Sequence, residues 1–375
     1  MPLVLDLPSR ILLGPGPSNV APSVLQAMAL PAIGHLDPEF IALMESIKTQ
    51  LRQVMLTTNE LTIPVSGTGS AGMEAVLCNL IEPGDRCVVC VHGVFGGRMA
   101  DVCGRYGGEV VRVEASWGQA IDPQGVRAAL SGGRTKLVAI VHAETSTGVL
   151  QPLEEISAMT HAAGALLVVD CVTSLGGHPV RVDDWGIDAC YSGTQKCLSI
   201  PPGLAPVSFS PAAVQAINGR RTKVANWYLD MTMVQNYWGQ DRVYHHTAPV
   251  NALFGFYEGL RLVLGEGLEA RWARHRANHE LLVAGLAELG LELLPAPEQR
   301  LWSLNAVKIP EGVDDLAVRK ALLTDYNIEI GGGLGDLKGK VWRVGLMGCS
   351  STRNNVNALL GALKAILEKQ DGQDV

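Results

Sequence analysis

The sequence predicts an α/β protein of two domains, and three observations carry that prediction. Short apolar runs of strand type recur along the first half of the chain, each followed by a polar or glycine-rich turn and then by helical periodicity. At 375 residues the chain exceeds what one core usually supports. Its 42 glycines suit a fold with many tight strand-to-helix turns. The composition, 47% hydrophobic against 18% charged, describes a compact chain with large buried interfaces, and a net charge of −7 argues against nucleic acid as a main partner.

Residues 1–12 read as an arm without its own core, 13–262 as a large domain and 263–375 as a smaller one. Asp6 and Pro8 interrupt the apolar start, which has no basic leader, so a signal peptide is not expected. No apolar run reaches membrane-spanning length, and the final residues Gly-Gln-Asp-Val are not a peroxisomal tripeptide. A cytoplasmic location is expected. The eight cysteines are scattered, mostly in apolar runs, as buried thiols of a reducing compartment would be. Cys87 and Cys90 match C-x-x-C, yet residues three apart on a strand face opposite sides of a sheet, so no metal or redox pair is expected.

Leu12-Leu-Gly-Pro-Gly-Pro-Ser-Asn19 alternates Gly and Pro, a turn whose backbone can lie against a ligand. Helical periodicity follows over Pro22 to Leu30 and Glu39 to Leu56, where Ile41, Leu43, Met44, Ile47, Leu51 and Val54 share a face. Between them His35 is either a substrate neighbour or a structural histidine. The strand Leu61 to Val65 runs into a turn in which Gly67, Gly69 and Gly72 satisfy G-x-G-x-x-G, a dinucleotide fingerprint. That fingerprint needs an acid after the second strand, and Cys87 to Val91 ends on His92-Gly93 instead. The same turn suits a single phosphate at a helix N-terminus, with Thr68, Gly69 and Ser70 as its cradle. Phe95 falls just beyond the second strand. Strands are expected over Glu109 to Val113 and Lys136 to His142, the latter ending in the polar loop Ala143-Glu-Thr-Ser-Thr-Gly-Val149.

Ala165 to Val169 reads as a buried strand delivering Asp170 to the sheet's C-terminal edge, where open α/β sheets bind ligands. The next segment carries Lys196 between Ser192-Gly-Thr194 and a Pro-Pro-Gly turn, a half-buried setting for an amine. A carboxylate at a strand tip, such a lysine and an upstream phosphate turn together make a pyridoxal phosphate site. In it Lys196 forms the Schiff base and Asp170 pairs with the pyridinium nitrogen. Further on, Ala205 to Ser210 is a strand, and Asn226 to Met231 with Tyr237-Trp238 reads as an aromatic-rich surface segment. The adjacent histidines 245 and 246 are expected to point apart and to hold no metal. Helices over Pro249 to Leu264, Leu268 to Leu289, Asp314 to Asp325 and Asn354 to Glu368 alternate with strands over Leu304 to Lys308 and Val341 to Gly345. Gly331 to Gly335 reads as a turn. Arg343 is charged inside an apolar strand, where it needs a partner.

Five stretches are also familiar as words: Ser192-Gly-Thr-Gln-Lys-Cys197; Val169-Asp170 with Ser174-Leu-Gly-Gly177; Glu144-Thr-Ser-Thr-Gly-Val-Leu-Gln151; Tyr244-His-His-Thr247; and Trp342-Arg-Val-Gly-Leu-Met-Gly-Cys349. From about Leu12 to the last helix the chain resembles the class V aminotransferases, in particular the branch of alanine:glyoxylate and serine:pyruvate aminotransferases. The resemblance implies the aminotransferase fold, with a mixed, mostly parallel seven-stranded sheet and a smaller C-terminal α+β domain. It implies a homodimer with shared active sites, in which Tyr244 and Thr247 reach the partner's cofactor phosphate. It further implies that Phe95 stacks on the cofactor ring where relatives often carry Trp, and that the Thr145 hydroxyl meets the phenolic oxygen. Gln195 helps place the phosphate, the loop at Gly16 borders the substrate, and Arg343 grips the substrate's α-carboxylate.

The implied activity is transamination between alanine or serine and glyoxylate or pyruvate. Ureidoglycine:glyoxylate and 3-hydroxykynurenine transaminases are the alternatives within the family. Relatives acting on ureidoglycine carry Asn and Gln where this chain has Tyr244 and His35. Desulfurases and kynurenine-type hydrolases place a histidine where Phe95 stands. A nicotinamide-dependent dehydrogenase and a non-catalytic subunit of a complex are the alternatives of other classes.

Overall fold

The computed structural model describes residues 7–371, so half of the expected arm and the C-terminal tetrapeptide lie outside the described residues. Seven strands form the central sheet: β1 (Leu61–Ser66), β2 (Arg86–Val91), β3 (Glu109–Glu114), β4 (Leu137–Val141), β5 (Leu166–Asp170), β6 (Ala189–Tyr191) and β7 (Leu204–Phe209). Their spatial order is β1-β7-β6-β5-β4-β2-β3. Strand β7 runs antiparallel to both neighbours, and the remaining pairs are parallel. The parallel strands are apolar along most of their length because helices cover both faces, and every residue of β4 is buried.

The order fixes where a ligand can sit. The chain steps from β2 out to β3, then crosses back to β4 on the other side of β2 and continues through β5 and β6. The C-terminal ends of β2 and β4 therefore flank a topological switch point, the crevice in which open sheets hold ligands. The G-x-G-x-x-G turn lies elsewhere. It follows β1, an edge strand whose sheet neighbour β7 is antiparallel, which is not the central parallel strand of a dinucleotide fold.

Helix α1 (Pro38–Met55) is capped by the Asp37 carboxylate, which accepts from the Glu39 N–H at 2.9 Å, and of the face expected it buries Met44, Ile47, Leu51 and Val54 while Ile41 and Leu43 stay half-buried. Helix α2 (Gly69–Leu80) follows β1, α3 (Val94–Arg105) follows β2, and α4 (Val250–Glu266) and α5 (Leu268–Glu288) lead into the C-terminal part. There a three-stranded antiparallel sheet of β8 (Leu304–Lys308), β9 (Gly331–Gly332) and β10 (Val341–Gly345) has β10 at its centre. Buried apolar residues gather in two large clusters, one around the seven-stranded sheet and one joining Leu282, Leu286, Val307, Trp342 and Leu359. Helix α5 spans them, giving Leu268 and Trp272 to the first and Leu282 and Leu286 to the second.

Four local expectations are corrected. Gly331 and Gly332 pair with Arg343 and Trp342, so the glycine run begins as a strand; lacking side chains, it carried no strand signal. Tyr237 and Trp238 are buried on a helix, Met231–Trp238, while Trp227 is 64% exposed. His245 and His246 do not point apart: their Nδ1 atoms lie 2.8 Å from each other, because the segment is a loop rather than a strand. The arm is also tied down at its end. Ile11 and Leu12 pair in parallel with Ile328 and Glu329, and Leu13 enters the second core. Among the described residues, no helix is long and apolar enough to cross a membrane.

Candidate active site

Asp170 is the last residue of β5, and its neighbour in register on β6 is Tyr191. Residues paired on adjacent strands share a face, so the Tyr191 hydroxyl donates to Asp170 Oδ2 at 2.8 Å, while the Val172 N–H donates to Oδ1 at 2.8 Å. Burial raises the Asp170 carboxyl to about 6; these two hydrogen bonds and the charges of Lys196 and Arg98 pull it back down. Lys196 follows β6 on a turn pinned by the N-terminal loop. Ser18 N donates to Gln195 O at 2.9 Å, and Ser18 Oγ donates to Lys196 O at 2.7 Å. The Lys196 ammonium donates to the Pro15 carbonyl. Burial first, then the Arg343 charge, lowers its pKa from 10.5 to about 8. Gly16 has φ +106°, and a Cβ there would stand 2.9 Å from Lys196 Nζ, so the loop admits only glycine against the amine.

The turn expected to hold a phosphate leads from β1 into α2. Gly67, at φ +141°, brings the chain off β1, and Thr68 caps α2 without using its side chain, leaving the hydroxyl free. The first N–H groups of α2, from Gly69 and Ser70, have no acceptor within the helix. Gln195 Oε1 is buried and unpartnered nearby, 2.9 Å from where a Gly193 Cβ would stand.

Across the switch point, Phe95 opens α3. Its backbone N–H donates to Glu144 Oε2 at 3.1 Å, as the Gly96 N–H does at 3.3 Å. The other carboxylate oxygen of Glu144 accepts from the Ser146 N–H at 3.0 Å and the Ser146 hydroxyl at 2.6 Å. A buried carboxylate at the start of α3 thus ties the loop after β4 to the turn after β2. Thr145 beside it directs its hydroxyl to Thr173 Oγ1, 3.1 Å away.

Arg343, on β10, is 7% exposed. Its Nε donates to the Gly332 carbonyl at 2.7 Å and its Nη1 lies 3.5 Å from the Thr145 carbonyl. Among the described residues no carboxylate forms an ion pair with it. Burial lowers its pKa to about 10, opposed by the Glu144 charge. The domain-bridging salt link that would explain a buried arginine is therefore missing, and the remaining N–H donors form a fork in want of an anion.

One cavity of about 140 Å³ is lined by Thr68, Gly69, Ser70, Phe95, Thr145, Asp170, Gln195 and Lys196, together with Arg98, Val172 and Tyr191. Gly16 closes on Lys196 and Arg343 stands behind Thr145. Tyr244 and Thr247 are exposed and do not line this cavity. His35 does not line it either; its ring lies 5.5 Å from that of Tyr244. Arg98, Tyr191 and Glu144 are the residues that reading the sequence left without a role. Arg98 stands three positions after Phe95, one helical turn on, which is the signal that would have found it.

The donor set fits pyridoxal phosphate. A buried amine with a lowered pKa and a buried carboxylate held at a strand tip face one cavity. A helix N-terminus with free N–H groups and a free hydroxyl lies at one end, and among the described residues the Arg343 guanidinium has no carboxylate partner. Comparison with known proteins agrees. Residues 11–359 match the family described as Aminotransferase class-V. The chain is 42% identical to alanine–glyoxylate aminotransferase of Callithrix jacchus, over 97% of this chain and 89% of that one. It is 38% identical to the (S)-ureidoglycine–glyoxylate transaminase of Bacillus subtilis, over 97% and 92%. Among solved structures, alanine–glyoxylate aminotransferase from Nostoc sp. superposes with a TM-score of 0.95 at 52% identity, covering 97% of this chain and 96% of the other. The chain belongs to the class-V aminotransferases, enzymes dependent on pyridoxal 5'-phosphate.

Proposed function

We propose that this enzyme transfers the amino group of a small neutral amino acid, alanine or serine, to a 2-oxo acid, glyoxylate or pyruvate. The carrying observation is Arg343, a buried guanidinium without a carboxylate partner among the described residues, set behind Thr145 and close enough to depress the Lys196 amine. It suits one α-carboxylate. Among the described residues lining the cavity the other cations are Lys196 and Arg98, the latter beside Ser70 at the phosphate end, which favours a neutral donor.

When bound, pyridoxal phosphate supplies an aldehyde that bonds amines and a ring that spreads the charge left on the substrate's α-carbon. The residues of this chain do the rest. Lys196 is the point of attachment, and once released its Nζ accepts the α-proton and returns it as acid. Asp170, oriented by Tyr191 and Val172, holds a proton on the ring nitrogen. Phe95 covers one ring face and excludes water. Thr68, Gly69, Ser70 and Gln195 hold the phosphate, and the Thr145 hydroxyl meets the phenolic oxygen. Gly16 lets the N-terminal loop border the substrate.

The sites are shared across a homodimer. The exposure of Tyr244 and Thr247 in a single chain, beside the exposed rings of Trp227 and Tyr228, supports their reaching a second copy's phosphate. The two apolar cores support a large and a small unit behind the proposed arm (1–12), large unit (13–262) and small unit (263–375), although Leu13 joins the second core and Leu268 and Trp272 the first. A cytoplasmic setting accords with the free thiols.

The test is a screen of alanine, serine, aspartate and ureidoglycine as donors against glyoxylate and pyruvate. Alanine or serine with glyoxylate is expected to give a kcat/KM at least roughly tenfold above the others; a preference for ureidoglycine or aspartate would refute the proposal. A second prediction concerns the amine. Below a pKa of about 8 Lys196 is an ammonium and cannot attack, whereas above it the free amine prevails. Attachment of the cofactor to cofactor-free protein, followed by absorbance, should therefore speed up as pH rises through 8 and then level off. An inflection near the ordinary 10.5 would contradict the buried setting.

A further inference from the structure

The cradle for the cofactor's phosphate, as this chain alone builds it, is short of positive charge. A phosphate monoester carries roughly −1.5 to −2 at neutral pH. The start of α2 offers the equivalent of about half a positive charge, and Thr68, Ser70 and Gln195 are neutral. The cations lining the cavity are Lys196, which is committed to Pro15 and to the reacting end, and Arg98. Arg98 stands on α3 one turn beyond Phe95, with its guanidinium carbon 4.9 Å from the centre of the Phe95 ring. Its Nη1 lies 3.5 Å from Ser70 Oγ, the outer limit of a hydrogen bond, and among the described residues no carboxylate pairs with it. The side chain is exposed, and its five donors have nearly no acceptor. It therefore leans on Phe95 with its Nη1 turned toward Ser70, at the edge of the cradle.

From this placement we propose that Arg98 is a cofactor-binding residue, the counter-ion of the phosphate, and that its stacking on Phe95 is what aims it. The proposal rests on the pyridoxal phosphate dependence given above. It implies discrimination chiefly by the phosphate: the ring and aldehyde end of the cofactor lie with Lys196, Asp170 and the inner face of Phe95, where the arginine acts only as the weakest of the influences that lower the Asp170 carboxyl.

The experiment compares pyridoxal 5'-phosphate with pyridoxal, which lacks the phosphate, in binding to cofactor-free protein by titration of the bound chromophore. It uses the wild type, Arg98→Met, Arg98→Gln and Arg98→Lys, and inorganic phosphate serves as competitor. Arg98→Met and Arg98→Gln are expected to weaken pyridoxal 5'-phosphate by about 10- to 100-fold, the range for loss of one charge-assisted hydrogen bond, and to change pyridoxal by less than about twofold, since the arginine has only a minor influence on Asp170. Inorganic phosphate should compete less well in both. Arg98→Lys should recover most of the loss. Equal weakening of both compounds would overturn the proposal, since it would mean that the arginine only holds Phe95 in place. Unchanged affinity for pyridoxal 5'-phosphate, or a lysine variant as weak as the methionine one, would overturn it as well. Failure of the wild type itself to bind the cofactor would sink the underlying dependence instead, so the two failures are distinguishable.

Discussion

Lys196→Ala is expected to lower transamination by on the order of 10⁴-fold or more, because one substitution removes both the point of covalent attachment and the proton carrier. The same variant should still bind the cofactor, since the cradle of Thr68, Gly69 and Ser70 at the start of α2 and the Asp170 carboxylate are untouched. Two measurements separate these effects. Steady-state turnover with alanine or serine and glyoxylate reports the loss, and absorbance after gel filtration reports the retained cofactor. Borohydride should fix the cofactor to the wild type and not to the variant. Turnover within tenfold of wild type would remove Lys196 from the chemistry. A variant that neither turns over nor holds cofactor would mean the cradle is not where the geometry puts it, and melting of the cofactor-free forms would show whether the fold had survived. The Lys196 side chain packs against Gly16 rather than in a core, so alanine there should leave stability nearly unchanged.

What could be read from the chain followed physical rules of differing range. The Asp170 and Lys196 pair was legible because each sits at the end of a short apolar run with a turn behind it, and both signals are local. The turn after β1 was legible for the same reason: the missing acid after the second strand argued against a dinucleotide, and the place of β1, an edge strand with an antiparallel neighbour, argues the same way. Tyr191 was not legible as a partner of Asp170. Their contact depends on β5 and β6 lying side by side with residue 170 opposite residue 191, and register is a property of the sheet. Glu144 was hidden in the same way. Its carboxylate serves a backbone turn 48 positions upstream, and only the crossing from β3 back to β4 brings the two together. Gly331 and Gly332 misled because a strand without side chains has no periodicity to show. Tyr237 and Trp238 misled for the opposite reason: aromatic residues in a polar neighbourhood look like surface until a helix turns them inward.

Arg343 was flagged by its charge inside an apolar strand and by the resemblance that makes it the carboxylate's fork, and its buried setting, with no carboxylate partner among the described residues, points to a second large expected effect. Replacing it with glutamine should cut kcat/KM for alanine or serine by roughly 10²- to 10³-fold, which corresponds to the few kcal/mol attached to losing one half of a desolvated charge pair. Most of the loss should appear in KM, because the substrate's carboxylate is bound alike before and during proton transfer. Lysine is a poorer substitute than its charge suggests. Arg343 already spends its Nε on the Gly332 carbonyl, which sets the plane of the fork, and an ammonium on a flexible stem can keep the charge without that plane. The control is a primary amine without a carboxylate, such as ethylamine, reacting with the cofactor-loaded enzyme in a single turnover. It should be slow with the wild type and no slower with the variant, so that the preference for the amino acid collapses. If both amines lose equally, the arginine supports the site through Thr145 and the neighbouring Glu144 charge rather than by holding the substrate, and the carboxylate must be recognised elsewhere.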